Sequence, residues 1–431
     1  MEPILIKNAL LKNKKRANII IDGNKIVAVS NSLHKGAKRG RIIEASNKLA
    51  IPSFINAHTH AAMSLLKGYA DDMPLQEWLS KKIWPIEAKL KEKDIYIGTK
   101  FACLEMLKNG ITCFNDMYWY PWKAAEASAE LGMRGFIGAL FLSIGKSKEQ
   151  AIREFKKQFK RIKAVAKNSN NLIRPTVAPH AIYTVDREIL IFAAEFAAKH
   201  DVLLHMHLNE TKEEVDGCIK EHNARPAEYL HKIGFLRNEL SGKYIFAHGV
   251  WLNEQEAALL GKYRASVAHC PISNMKLAVG SALNFNLLVS NNINVVLGTD
   301  GNASNNSLNM FQEMKIAALL QKFYYNDPTK LNASQTFQLA TYNAANAFKL
   351  KAGKVAEGYL ADIILIDLNA ISMVPSHNLI SNLVYSAQNS VREVICNGRL
   401  LVENYKLIIE KEEKIINEAR KTAERIVSNS F

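Results

Sequence analysis

Apolar residues in the first fifty positions come in short runs separated by turn-forming pairs. Ile4-Leu-Ile is followed by Ile19-Ile-Ile and Ile26-Val-Ala-Val, with Asp22-Gly-Asn between the last two. Asp-Gly and Gly-Asn between apolar runs predict hairpins. The texture returns near the other end, where Ile363-Ile-Leu-Ile and the runs on either side of Asn397-Gly398 again predict strands. Residues 1–52 and 351–405 are therefore expected to build one small β-sandwich from both ends of the chain.

The middle, residues 53–350, has a different rhythm. Compact apolar runs at 112–116, 135–142, 173–178, 202–207, 244–247, 265–269 and 293–297 read as strands buried on both faces. Stretches of helical periodicity at 95–108, 122–131, 186–199, 225–233 and 253–260 lie between them. Repeated βα units predict a parallel barrel or a doubly wound sheet. A (β/α)8 barrel is favoured because histidines and acids fall at the C-terminal ends of several strands, where such barrels carry their sites. Neither Gly-x-Gly-x-x-Gly nor the phosphate-cradling Gly-Lys-Ser/Thr loop is present, which argues against a dinucleotide or nucleoside triphosphate site. Residues 406–431 are assigned to a final helix, read over 407–427, whose Ile415, Ala419, Ala423 and Ile426 share one face.

Composition narrows the class. With 48% hydrophobic and 23% charged residues over 431 positions, the chain has the balance of a soluble globular protein. No apolar run approaches the roughly 20 residues of a membrane helix, and the N-terminus lacks a basic head before an apolar core, so a cytoplasmic location is expected. Five scattered cysteines without a Cys-x-x-Cys pair suggest buried thiols, neither disulfides nor a cysteine metal site. Much of the +15 net charge falls in residues 146–167, where Phe155, Phe159, Ile162 and Ala166 recur at helical spacing among lysines and arginines. This is a surface helix with a solvated basic face. No basic stretch is interleaved with stacking aromatics, so no nucleic-acid partner is expected.

The chemistry concentrates at strand ends. The run Ile51-Pro-Ser-Phe-Ile55 leads into His58-Thr-His60, and strand alternation sends both imidazoles to one side. A second strand ends in His205-Met-His207 with Glu210 three residues on, a third in His248, and a fourth in Asp300 before Gly301. Any one of these could simply end a strand or cap a helix. Together they fit a divalent metal held by imidazole nitrogen and carboxylate oxygen with a position open to water. His205 and His207 face the same side, and spacing does not choose between them.

Longer strings carry a resemblance. Asn56 to Leu79 with Ile83-Trp-Pro-Ile-Glu87, Thr112-Cys-Phe-Asn-Asp-Met-Tyr118, Ala178-Pro-His-Ala-Ile-Tyr183, His205 to Thr211, His269-Cys-Pro-Ile-Ser-Asn-Met-Lys-Leu277 and Gly298 to Asn306 occur in order over nearly the whole chain. They resemble the amidohydrolase superfamily and, within it, the 5-methylthioadenosine/S-adenosylhomocysteine deaminases. The resemblance implies a (β/α)8 barrel with a composite β-sandwich and one divalent ion, usually zinc, on His58, His60, His207 and Asp300. It implies Glu210, His248 and Asp300 as catalytic groups, with Asp300 accepting a proton from water, Glu210 donating to N1 of an adenine ring and His248 stabilising the addition at C6. Trp78, Glu87 and His180, with Glu210 and Asp300, are implied nucleoside contacts, although Leu75, Trp78, Leu79 and Ile83 also read as one buried helix face.

The chain departs from the pattern twice. No arginine occurs between Gly135 and Lys146 to meet a substrate carboxylate, and Ile272 stands where a polar or acidic residue is expected. The implied partners are a nucleoside and water, with a homo-oligomer allowed and no membrane. The competing readings are another hydrolase on this scaffold, acting on a different amino-heterocycle or a triazine, and a non-catalytic binding protein.

Overall fold

The computed structural model describes residues 2–32, 40–74 and 77–428, and its strands form two sheets. The terminal sheet holds β1 (Ile4–Leu10), β2 (Arg16–Asp22), β3 (Lys25–Ser30), β4 (Arg41–Glu44) and β5 (Lys48–Pro52) from the beginning of the chain. From its end come β14 (Ile363–Asp367), β15 (Val391–Cys396), β16 (Arg399–Glu403) and β17 (Lys406–Leu407). Their order is β17-β16-β15-β14-β5-β1-β2-β3, with β4 beside β1. The two halves join where β5 runs antiparallel to β14, Ile51 opposite Ile364. Ile363 and Leu365 enter the sheet's own core with Ile6, Ile19 and Ile395, while Ile364 and Ile366 pack into the main core with the barrel. Both faces of β14 are covered, which is why it reads as an unbroken apolar run.

Between the halves lie eight parallel strands: β6 (Phe54–Thr59), β7 (Ile111–Asp116), β8 (Arg134–Phe141), β9 (Ile173–Pro179), β10 (Leu204–Leu208), β11 (Tyr244–His248), β12 (Ser266–His269) and β13 (Asn294–Leu297). Their order follows the chain, and β13 returns to β6. That seam is held by the Asp300 N–H donating to the His58 carbonyl at 3.0 Å, and by the Asn56 side chain, which accepts from the Thr299 N–H at 3.0 Å and donates to its hydroxyl at 2.7 Å. The closure thus brings His58 and Asp300, 242 positions apart in the chain, into contact. Near the opposite barrel end Phe348 packs on Phe136, with ring centroids 4.6 Å apart. There the buried Arg134 guanidinium, 3.2 Å from Asp362, ties barrel to sheet.

The basic helix forms over Lys148–Lys167, with Phe155, Phe159 and Ile162 buried beneath a charged face. All five cysteines are buried and unpaired. Among the described residues no helix is long and apolar enough to cross a membrane. One element differs from the sequence expectation. The final helix spans Glu412–Ser428, and Lys406–Leu407 belongs to the sheet as β17. Asn404 and Tyr405 both take positive φ, 48° and 65°, making a tight turn that folds β17 back on β16. The turn contains neither glycine nor proline, and the two residues of β17 are too short a run to show strand alternation.

Candidate metal centre and active site

Three of the four strands that feed the site are followed or ended by a residue of positive φ. His248 and Asp300 have φ of +73° and +60°, and Asn209, just beyond β10, has +52°. Asp, Asn and His tolerate this left-handed region better than most residues, and its cost is commonly held at functional positions. Gly301 follows Asp300 because a Cβ there would lie 2.6 Å from the Met63 sulfur.

The histidines meet at the C-terminal mouth. His60 Nδ1 donates to the Met117 carbonyl at 2.5 Å and His207 Nδ1 to the His180 carbonyl at 2.9 Å. Both Nε2 atoms are therefore bare when the rings are neutral, and they face each other at 3.3 Å. Asp300 Oδ1 lies 3.2 Å from His60 Nε2 and 3.4 Å from His58 Nε2, and the latter nitrogen is buried without a hydrogen-bond partner. His58, His60 and His207 each offer a ring nitrogen within 4.8 Å of the others, and Asp300 Oδ1 lies against two of these rings; a cation would resolve this crowding of lone pairs, and these four residues fit as its holders. His58, His248 and Asp300 form an overlapping group of the same compactness.

Electrostatics agree with a demand for positive charge. Burial drags His58 down to about 4 and His207 well below its usual value. At His60 burial acts the same way, but the Asp300 carboxylate and the Met117 carbonyl outweigh it and push the ring up to about 9. Burial alone would raise Asp300, yet His58 and His60 hold it well below the usual carboxylate range. A divalent ion supplies the same charge at the same place and needs His60 neutral.

His205, which spacing could not separate from His207, lies inside the barrel, its Nε2 2.9 Å from His58 Nδ1. It supports the first histidine from behind, while His207 faces the convergence point. Support that the sequence reading did not assign comes from Ser273 and Ser304, whose hydroxyls donate to Asp300 Oδ2 at 2.6 and 2.9 Å. Asn274 Oδ1 accepts from His248 Nδ1 at 2.9 Å. All three lie within the two motif strings around His269 and Asp300, so their position was visible although their role was not. At the Ile272 turn the nearby carboxyl is that of the buried Glu313, 3.5 Å from the Ile272 N–H.

Above the cluster opens a cavity of about 370 Å³, with His60, His207, Glu210, His248 and Asp300 at its floor. The amidohydrolase family model matches residues 49–401. The chain belongs to the amidohydrolase family. It is 44% identical over 432 aligned positions, 99% of this chain and all of the other, to a 5-methylthioadenosine/S-adenosylhomocysteine deaminase 1 of Archaeoglobus fulgidus. It is 47% identical over 380 positions, 88% of this chain and 84% of the other, to a 5'-deoxyadenosine deaminase of Methanoregula boonei. Among solved structures, an adenosine deaminase from Xanthomonas campestris with bound zinc superposes with a TM-score of 0.89 at 31% identity, covering 99% of this chain and 98% of that one.

On this amidohydrolase scaffold the three further sequence candidates also line the cavity. Trp78 opens a π-helical turn, Trp78–Ile83, whose five-residue step buries Trp78 and Ile83 together. Leu79 is partly exposed on the cavity side, and Leu75 lies outside the described residues. Trp78 therefore serves the core and the cavity wall at once. Glu87 stands beside Tyr118 and Trp119, its carboxyl raised by burial, which those neighbours partly offset. His180 is fixed through Nδ1 by the Thr184 hydroxyl at 2.9 Å. Glu210 Oε2 lies 3.7 Å from His248 Nε2, and burial raises its carboxyl against the opposing effect of His248. The outer wall, which the sequence reading described only by its missing arginines, consists of Leu140, Leu142 and Ile144, with Lys146 held by Glu154 at 2.6 Å.

Proposed function

We propose that this chain is a metal-dependent deaminase of adenine nucleosides, replacing the 6-amino group by oxygen and releasing ammonia. The observation that carries the reading is a pair of carboxyl groups at one cavity floor with opposite settings. Glu210 is raised toward its neutral form and Asp300 is held ionised. Environments that push two acids apart mark a proton donor and a proton acceptor.

His58, His60, His207 and Asp300 would hold the ion, which we assign as a single zinc, and it would make water acidic enough to give up a proton near neutral pH. Asp300 accepts one proton of the attacking water as the C6–O bond forms, and Glu210 gives its proton to N1. His248, oriented by Asn274, stabilises the new oxygen. Asp300 then passes its proton to the amino group, the C6–N bond breaks, and the remaining hydroxyl proton returns to Glu210. The product is the hypoxanthine nucleoside. Trp78 and Trp119 offer aromatic walls for a purine, Glu87 can accept hydrogen bonds from ribose hydroxyls, and His180 borders the same space.

The apolar outer wall, with its lone lysine already paired, favours an uncharged 5'-substituent such as methylthio, hydroxyl or hydrogen over a homocysteine carboxylate. We place the enzyme in the cytoplasm, acting on free nucleosides. The test is a panel of 5-methylthioadenosine, S-adenosylhomocysteine, adenosine and 5'-deoxyadenosine, followed by the adenine-to-hypoxanthine absorbance change on metal-replete protein. Turnover of one or more supports the reading. Activity confined to free bases, pterins or triazines, or metal-replete protein inert on every compound, would refute it.

A further inference from the structure

We propose that Glu214 is a positioning residue for Glu210, and that its carboxylate fixes where the Glu210 acid stands in the cavity. Strand β10 ends at Leu208, and Asn209 turns the chain at φ +52°, so the N–H groups of Asn209 and Glu210 leave the strand ladder. Both are buried and each needs an acceptor. Glu214 supplies the two: Oε1 accepts from the Asn209 N–H at 3.0 Å and Oε2 from the Glu210 N–H at 2.8 Å.

Glu214 is itself fixed. It is the third residue of the helix Lys212–His222, and its own N–H donates to the Thr211 hydroxyl at 3.1 Å. An acid at this helical position ordinarily reaches back to the N–H of the capping residue. Here it reaches past Thr211 to the two residues before it, one of which carries the proposed acid. The other flank of the turn is gripped independently, because Asn209 Nδ2 donates to both oxygens of the buried Glu256, each at 3.1 Å. Glu256 is anchored in turn by Arg225 at 2.8 Å and the Ala227 N–H at 3.0 Å. Glu210 thus lies beyond the end of its strand, yet its main chain is held by a bidentate carboxylate. This arrangement sets its distance to His248.

The inference rests on Glu210 being the acid of the proposed deamination. It is tested with Glu214→Gln and Glu214→Asp, assayed beside wild type and beside Asp362→Asn, which loosens a buried ion pair far from the site. The glutamine keeps the shape but turns one acceptor into a donor facing an N–H, and the aspartate is too short to reach both N–H groups. Both variants should lose about 10- to 100-fold in kcat, with KM and metal content within about threefold of wild type, since small displacements of a reacting group cost rates of this order. Crystals of Glu214→Gln should show the Glu210 carboxyl displaced from His248, and Asp362→Asn should keep its kcat despite a lower melting temperature.

A kcat within about threefold of wild type in both variants overturns the proposal. So does equal loss of metal or of substrate affinity, or failure of both to fold, which would make Glu214 a folding residue. Wild type inert on every nucleoside would instead refute the deaminase reading, and the position of Glu210 in the variant crystal would still decide the role of Glu214.

Discussion

Replacing Glu210 with glutamine separates proton donation from shape. The side chain is buried beside His248, and burial keeps its carboxyl raised. Glutamine matches the neutral acid in size and can still donate a hydrogen bond, but it cannot release a proton. General acid catalysis contributes about 10²–10⁴ in rate, so kcat should fall by that factor, about 2.7–5.4 kcal/mol at 1.36 kcal/mol per tenfold. Metal content and KM should stay near wild type, because the residue is not among the four proposed ligands. The wild-type rate should decline on the alkaline side as Glu210 ionises, and the variant should lose that limb.

Stability gives a second reading of the same substitution. Because the folded-state pKa lies above the unfolded one, the native form holds the extra proton in the window between them, and stability falls as pH rises through it. E210Q removes that loss. It should therefore gain melting temperature relative to wild type above the window and converge with it below the usual glutamate value. Steady-state kinetics, metal analysis and melting curves at several pH values check both parts. Near-normal deamination by E210Q would remove this residue from the chemistry, and parallel loss of metal would make it a structural group instead.

Asn274→Ala should leave His248 without its Nδ1 partner and lower kcat about tenfold, with metal retained, as supports behind a site commonly do; steady-state assays decide it. Asp362→Asn should destabilise by about 3–5 kcal/mol in denaturant unfolding, since Arg134 is left buried without its counter-charge. The rate per folded molecule should be unchanged, because the pair lies at the far end of the barrel. The apolar outer wall should give kcat/KM at least about tenfold higher for 5'-deoxyadenosine or 5-methylthioadenosine than for S-adenosylhomocysteine. Equal values would show that Lys146 or another cation reaches the carboxylate.

Much of the architecture could be read from periodicity. Strands buried on both faces appear as continuous apolar runs, and their alternation with helical stretches leaves few topologies. The turn at Asn404-Tyr405, where both residues adopt positive φ, escaped because it has no glycine or proline and the strand beyond it is only two residues long. At the site, alternation showed that His58 and His60 leave a strand together. It could not rank His205 against His207, because two residues apart on a strand means the same face at a different depth. Only the folded barrel shows one imidazole behind His58 and the other opposite His60. Ser273, Asn274, Ser304 and Glu214 were beyond sequence reasoning for a related reason. Their roles lie in hydrogen bonds to other functional side chains or to the main chain, and no spacing rule encodes those.

In the proposed centre four side chains from three strand ends share one cation. Anomalous scattering at the zinc absorption edge from crystals of the metal-replete protein tests this directly. A single peak is expected at about 2.0–2.2 Å from nitrogens of His58, His60 and His207 and from a carboxylate oxygen of Asp300. A peak held by other residues, or none where those atoms converge, would contradict the proposed centre.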